Sequence, residues 1–402
     1  MMKKYELGLG KNYVSDWNVW AAVREFIQNA IDQSKTIEDN KMSITYNEET
    51  ETIQICNKKS VLEHHTLLLG NTSKKDDDNT IGMFGEGYKL ALLVLTREGK
   101  KVTIYNYGKR EVWTCRFSKL KKYDYVETLI VEIYTAFSWT KIPNNDLTVQ
   151  IEGITQEEFE TIKENTLMLK GDYVFYPTKF GNILDGEEFA GQIYINGLRV
   201  CTKPEFKYGY DIFPAYLKIG RDRNLLDSYD VQKLARRMWL LSGKKDIIKT
   251  FINQDVYKDC SGLSYEMSNN YHSEVDIEIE KASDDFSNEC YDEFVKDFGE
   301  ETLCAENENI KAKLQRIYKQ KKVVVISNDF GRMVRNSSNY NHMMDNIEES
   351  EETYYDKIMK WASTHYVSDY AMEDLFDLLK PMIDAYEEQT NESFFEQKED
   401  VI

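Results

Sequence analysis

The sequence predicts an α+β protein whose first domain is a sheet with helices packed on one face, and three stretches carry that prediction. Residues 15–34, SDWNVWAAVREFIQNAIDQS, set Trp17, Trp20, Val23, Ile27 and Ile31 at helical spacings. Residues 101–154 run through four strand-like segments in succession, separated by turn-forming residues. A new helix-and-hairpin pattern restarts at Thr155. A chain of 402 residues also exceeds what one core usually organises, so more than one domain is expected.

In chain order, Ser15 or Asp16 is a suitable N-cap for the first helix. The alternating stretches 42–47 and 51–57 read as a hairpin, and a helical piece is expected over 60–70. NTSKKDDDNT (71–80) gathers turn formers and charges, which predicts an exposed loop. IGMFGEGYKLALLVL (81–95) then leads from three glycines into a buried helix. Strands follow at 101–108, 110–118, 127–136 and 147–154, and the first domain closes near residue 152.

Thr155 caps the next helix, with Glu157 and Glu158 in its first turn. Residues 191–201 read as a hairpin turning at Asn196-Gly197, and an amphipathic helix completes a second α/β domain over 153–243. The region 244–402 is expected to be mainly helical and acidic, with a short strand at 321–328 and a late helix at 353–367.

Composition narrows the function classes. A hydrophobic content of 41% with only 5 Pro describes an ordered globular chain. The net charge of −19 argues against wholesale adhesion to nucleic acid or an anionic membrane, although a local basic groove is compatible with it. Cys56, Cys115, Cys201, Cys260, Cys290 and Cys304 form no CxxC pair, which fits a reducing compartment. The five histidines, His64-His65 among them, form no HExxH and suggest no metal site. The N-terminus MMKKYELGLG has no apolar segment behind its lysines, and no run approaches the roughly 20 apolar residues that span a bilayer. A cytoplasmic, soluble protein with no membrane partner is expected.

Two stretches carry chemistry. In REFIQNAID, Glu25, Asn29 and Asp32 stand at i, i+4 and i+7 and project from one helix face, where buried carboxylates are costly unless paired or used. An ordinary polar stripe meeting solvent is the alternative. In GMFGEGYK, Gly82, Gly85 and Gly87 remove side chains where the backbone enters a helix, so N–H groups and the helix dipole can approach an anion closely. A tight turn alone would also explain them. The stretch is not a P-loop, since GxxxxGK[ST] is absent.

Together, an ExxxNxxD helix, a hairpin, a charged loop and GxFGxGxK before a helix and a run of strands resemble the GHKL ATPases, the superfamily of gyrase B, Hsp90, histidine kinases and MutL, over residues 10–152. The segment after it, with RDRN (221–224), resembles the transducer domain of the gyrase, Hsp90 and MutL branch. The resemblance implies a Bergerat-type α/β sandwich ATPase domain over 1–152 and a transducer-like α/β domain over 153–243, and it does not extend to the mainly helical, acidic C-terminal region over 244–402. It implies that Glu25 is the general base, that Asn29 holds Mg²⁺ through its amide oxygen and that Asp32 buttresses the site. Gly82, Phe84, Gly85, Gly87 and Lys89 match the phosphate-binding box, and Thr148 matches the hydroxyl near the adenine.

The family's DxGxG box departs here to CNKKSV (56–61), so Asn57 stands for the adenine-binding Asp. Ser73 and Lys74 occupy the lid position and either reach phosphate or remain solvated. Arg223, or its neighbours Arg221, Lys218 and Lys207, matches the cation that this branch supplies from its second domain.

The function implied is a slow, Mg-dependent ATP-binding and hydrolysing conformational switch that acts on a protein or nucleic-acid partner. With nucleotide bound it pairs as a homodimer through its N-terminal domain. The alternative is a non-catalytic acidic scaffold on the same fold, for which runs such as 345–356 mimic a polyanion. The basic cluster KLARRMWLLSGKK (233–245) is the only stretch that invites DNA, and an ordinary helix face explains it as well.

Overall fold

The computed structural model describes residues 2–68, 86–121, 124–135, 146–217, 228–254, 257–263, 274–318 and 320–351, together with 361, 371, 374–375 and 377–381. The protein is α+β, with largely antiparallel sheets. It divides into two compact units, Met1–Ser261 and Gly262–Ile402.

The first unit opens with β1 (Met2–Gly10), α1 (Val19–Thr36), β2 (Met42–Asn47) and β3 (Thr52–Asn57). After a 3-10 turn at His64–Leu67 come α2 (Gly87–Arg97), β4 (Lys101–Asn106), β5 (Glu111–Lys119), β6 (Glu127–Thr135) and β7 (Leu147–Glu152). These strands form a seven-stranded sheet in the order β1-β6-β5-β4-β7-β3-β2. Period-two alternation sends Ile53, Ile55, Val102, Ile104, Val149 and Ile151 to one face, where they are buried under Val23 and Ile27 of α1 and Leu92 and Leu93 of α2. The opposite face is polar: the Gln54 amide donates to Gln150 Oε1 (2.8 Å), and Lys101 pairs with Glu152 (2.8 Å).

Three local outcomes differ from the sequence expectations. α1 is capped by Asn18, whose Oδ1 accepts the Ala21 N–H at 2.9 Å, so the helix starts after Ser15 and Asp16. β1 was not anticipated, because an edge strand rich in Lys and Gly carries little hydrophobic signal. The helix expected over 60–70 is only a 3-10 turn. Asn106, fully buried at the end of β4, donates to Leu62 O (2.7 Å) and accepts from Leu62 N (3.3 Å), which takes that backbone out of any helical ladder.

α3 (Gln156–Glu164) starts on a capping box between Thr155 and Glu158. Beyond it, β8 (Val174–Thr178), β9 (Gly181–Asp185), β10 (Gln192–Ile195), β11 (Leu198–Thr202) and β12 (Gly209–Ile212) make a five-stranded sheet in the order β11-β10-β12-β9-β8. The β10–β11 turn holds Asn196 at φ 51° and Gly197 at φ 78°, the two left-handed residues that an Asn-Gly hairpin turn requires. α4 (Ser228–Ser242) packs on β8 and β9, and α5 (Lys245–Gln254) follows it.

The sequence groups residues 244–261 with the C-terminal region, yet Phe251 and Asp259 of that stretch pack on this sheet. Phe251 meets Trp239 and Tyr208 edge-on, and fully buried Asp259 accepts the N–H groups of Lys207 (2.7 Å) and Tyr208 (3.1 Å) and the Tyr210 hydroxyl (2.6 Å).

The second unit contains α6 (Glu274–Phe298), β13 (Leu303–Ala305), α7 (Glu308–Ile317), β14 (Val323–Val325), α8 (Asp329–Asn336) and α9 (Ser338–Glu351). β13 and β14 pair in parallel across α7, and Leu303, Ala305, Tyr318, Val323 and Ile347 form a core. The late helix expected over 353–367 lies, apart from residue 361, outside the described residues. None of the six cysteines forms a disulfide. No helix among the described residues is long and apolar enough to cross a membrane.

Candidate functional site

α1 brings its three polar residues to the junction with the sheet and α2. Glu25 is 1% exposed and Asp32 0%, while Asn29 is half-buried. An ordinary solvated stripe is therefore not what this face is. Arg24, beside Glu25, sets its Nη2 3.5 Å from Glu25 Oε1 and its guanidinium over the Trp17 ring at 5.9 Å.

The first residue of α2 explains one of the three glycines. A Cβ on Gly87 would lie 2.1 Å from Glu25 Oε2 and 3.1 Å from its carboxyl carbon. Gly87 is needed for close approach and not for a left-handed backbone. The Glu25 carboxylate thus rests against the N-terminal turn of α2, where free N–H groups and the helix dipole favour negative charge. Two motifs far apart in sequence meet at this contact.

Lys89 lies two residues further on and is fully buried. Its ammonium donates to the carbonyls of Thr66 (2.8 Å) and Leu68 (2.5 Å), and burial lowers its pKa to about 8, opposed by Glu86. It therefore ties residues 66–68 to α2. The Tyr88 hydroxyl, 3.0 Å from Thr66 Oγ1, adds a second tie, and burial pushes its pKa upward.

Asn57, at the end of β3, is buried beneath α1. Its Nδ2 donates to Ala30 O (2.8 Å) and Asn40 Oδ1 (3.0 Å), and Asn40 Nδ2 donates to Ser60 Oγ (2.9 Å). A backbone carbonyl only accepts, so the Asn57 amide is fixed in orientation and its carbonyl oxygen is left as an acceptor. Asn40, Ser60 and Asn106 complete this buried polar layer, and sequence reasoning missed all three. The Asn and Ser residues flanking short strands were the available signal.

Thr148 requires a correction. It pairs with Cys56 across β3 and β7, and its hydroxyl donates to Cys56 Sγ at 3.3 Å. Cys56 and Asn57 are adjacent in one strand and so point to opposite faces. Thr148 therefore lies on the outer face of the sheet, away from Asn57 and α1. Its neighbours Leu147 and Val149 face the helices instead.

Gly82, Phe84, Gly85, Ser73, Lys74, Lys218, Arg221 and Arg223 lie outside the described residues. Lys207 sits in the second sheet's surroundings, with its ammonium over the rings of Tyr208 (5.8 Å) and Tyr257 (6.0 Å). Among the described residues, no group of three or more His, Cys, Asp or Glu side chains could hold a metal ion.

Comparison with known proteins gives a limited frame. A family model described as the Mycoplasma pneumoniae MPN635 N-terminal domain matches residues 157–216. An "Uncharacterized protein" of Mycoplasma pneumoniae (strain ATCC 29342 / M129 / Subtype 1) is 25% identical over 218 residues, which is 53% of this chain and 86% of the relative. Among solved structures, the ATPase region of Saccharomyces cerevisiae topoisomerase II aligns with a TM-score of 0.31 and 11% identity, over 45% of this chain and 62% of that one. The ATPase and transducer domains of DNA topoisomerase II from Balamuthia mandrillaris align with a TM-score of 0.29 and 15% identity, over 45% and 60%. The alignments thus span under two thirds of either topoisomerase chain.

Proposed function

We propose that residues 1–261 form an ATP-binding and hydrolysing module of the GHKL type, working as a slow conformational switch. The observation that carries the reading is the contact between the buried Glu25 carboxylate and Gly87, which unites the ExxxN helix with the glycine-rich entry to α2. A carboxylate in that position is suited to take a proton from the water that attacks the γ-phosphorus as the bond to the ADP leaving group breaks. Asn57 suits recognition of a purine amino group, because its remaining carbonyl oxygen is an acceptor held in one orientation by Ala30.

Mg²⁺ fits the donor set through the half-buried Asn29 amide oxygen together with phosphate and water oxygens, the mixed oxygen shell that this ion prefers. When bound, it would neutralise phosphate charge. Lys89 acts indirectly in this reading, by holding the backbone of Thr66 and Leu68 against α2. The homodimer, and a protein or DNA partner for residues 262–402, remain part of the same proposal.

The test is nucleotide binding and turnover by the native chain and by Glu25→Ala. The expected result is turnover by the native protein, retained binding by the variant and a loss of kcat of about 10³-fold. If the native chain binds no purine nucleotide, the ATPase reading fails and the acidic scaffold replaces it.

A further inference from the structure

The C-terminal end of α1 reaches the second sheet through the charged side chain of Lys35. The Lys35 ammonium donates to Asn196 Oδ1 in the β10–β11 turn and lies 5.9 Å from the Phe213 ring centroid. It also lies within the field of Asp211 on β12 and of Asp32 on its own helix. Asp32 is fully buried and shares the helix face of Glu25 and Asn29. A single cation therefore stands between the polar face of α1 and the second sheet.

The sheet's side of the contact is built rigidly. Gly197 N–H donates to Asp211 Oδ1 at 2.7 Å, and Gly197 O accepts the Leu167 N–H at 2.9 Å. Asp211 lies in register with Tyr194 and Asn182 in the neighbouring strands, so the turn is fixed to the middle of the sheet. The same region carries unsatisfied polar atoms: Asn196 Nδ2, Tyr194 OH and Thr166 Oγ1 are buried without hydrogen-bond partners among the described residues. Asn196 could offer its amide nitrogen inward only by turning Oδ1 away, and a flipped amide would set donor against ammonium at Lys35. The cation thus holds the carboxamide in an orientation that leaves a donor unsatisfied. An arrangement of this kind has a competing alternative and is poised to change.

We propose that Lys35 is a positioning residue through which the second sheet sets the geometry of the α1 face bearing Glu25, Asn29 and Asp32. The proposal rests on the ATPase reading above. Attachment of Lys35 to the Asn196–Gly197 turn holds the last turns of α1 in register with the second sheet, and release lets them move independently. Burial pulls the Lys35 pKa down, while Asp211 and Asp32 oppose that shift.

The experiment uses the full chain with Lys35→Met, Asn196→Gly and the double variant. Glycine suits the left-handed backbone at residue 196, so Asn196→Gly removes the acceptor without straining the turn. Affinity for ADP, steady-state ATP turnover and hydrogen exchange of the amides in 29–36 are measured together. The expected result is a change in kcat of about fivefold or more in each single variant, with ADP affinity held within about twofold. The double variant should match a single one, and exchange over 29–36 should quicken. Unchanged kcat in a native chain that turns over ATP, multiplying effects in the double variant, or equal losses of affinity and turnover would each overturn the proposal and leave the ATPase reading standing. Absence of nucleotide binding by the native chain would defeat the reading and the proposal together.

Discussion

Two sets of buried polar side chains in the first unit are handled in opposite ways. Around α1 and α2, Asn57, Asn40, Ser60, Asn106 and Lys89 are all hydrogen-bonded, most of them to backbone carbonyls or to one another. On the second sheet, Thr166, Tyr194 and Asn196 each leave a buried polar atom unpaired. A satisfied layer fixes one arrangement, whereas an unsatisfied one retains alternatives at little additional cost. The difference separates a region suited to holding chemical groups still from one suited to responding.

The largest effect that would break this comparison comes from the satisfied side. Gly87→Ala sets a methyl group 2.1 Å from the present position of Glu25 Oε2, so the carboxylate must shift. Ala favours a helix over Gly by up to about 1 kcal/mol, so the fold should survive. Turnover should fall by about 100-fold from misplacement of the carboxylate alone, with little change in thermal midpoint. Native turnover in this variant would mean that Glu25 does not need its present place.

Asn57→Ala is expected to destabilise the chain by about 1–3 kcal/mol in denaturant unfolding, because Ala30 O and Asn40 Oδ1 lose their donor inside the layer. A neutral outcome would show that the layer tolerates orphans as the second sheet does.

A pH titration probes the other side. Burial raises the Asp211 pKa from 3.8 to about 6, with the Gly197 N–H, Lys35 and Asn182 opposing the rise. Between those values the folded chain holds a proton that the unfolded chain has lost. The Asp211 contribution to stability is therefore greatest below pH 3.8 and declines as pH rises through about 6. Asp211→Asn should remove that part of the slope in unfolding experiments run across pH 4 to 6.5. Identical slopes in both chains would place the Asp211 carboxyl in ordinary solvent.

Thr148→Val marks the smallest expected effect. The hydroxyl faces the outer surface and bonds only Cys56 among the described residues, so stability should move by no more than about 0.5 kcal/mol and nucleotide affinity should hold. A marked loss of affinity would return Thr148 to the helix side of the sheet.

Much of this was legible in the residues. Val23, Ile27 and Ile31 mark the buried stripe of α1 because a helix repeats every 3.6 residues, and 101–152 alternates because a half-buried strand must. Thr155 with Glu158, and Asn196 with Gly197, specify a cap and a turn through local hydrogen bonding and local backbone sterics. β8, β9 and β12 were not legible: they are four or five residues long and mix aromatic, polar and glycine positions.

The sequence by itself therefore determined what local forces decide: the apolar stripe of α1, the strands of 101–106, 111–119, 127–135 and 147–152, the Thr155 cap, the Asn196-Gly197 turn, and the helix face shared by Glu25, Asn29 and Asp32. Only the tertiary structure decided that Gly87 yields its side-chain space to Glu25, that Thr148 points away from Asn57, and that Lys35 reaches the second sheet. Each of those outcomes depends on strand register and on contacts between distant segments. A one-residue change of register reverses every side chain in a strand without altering any local preference.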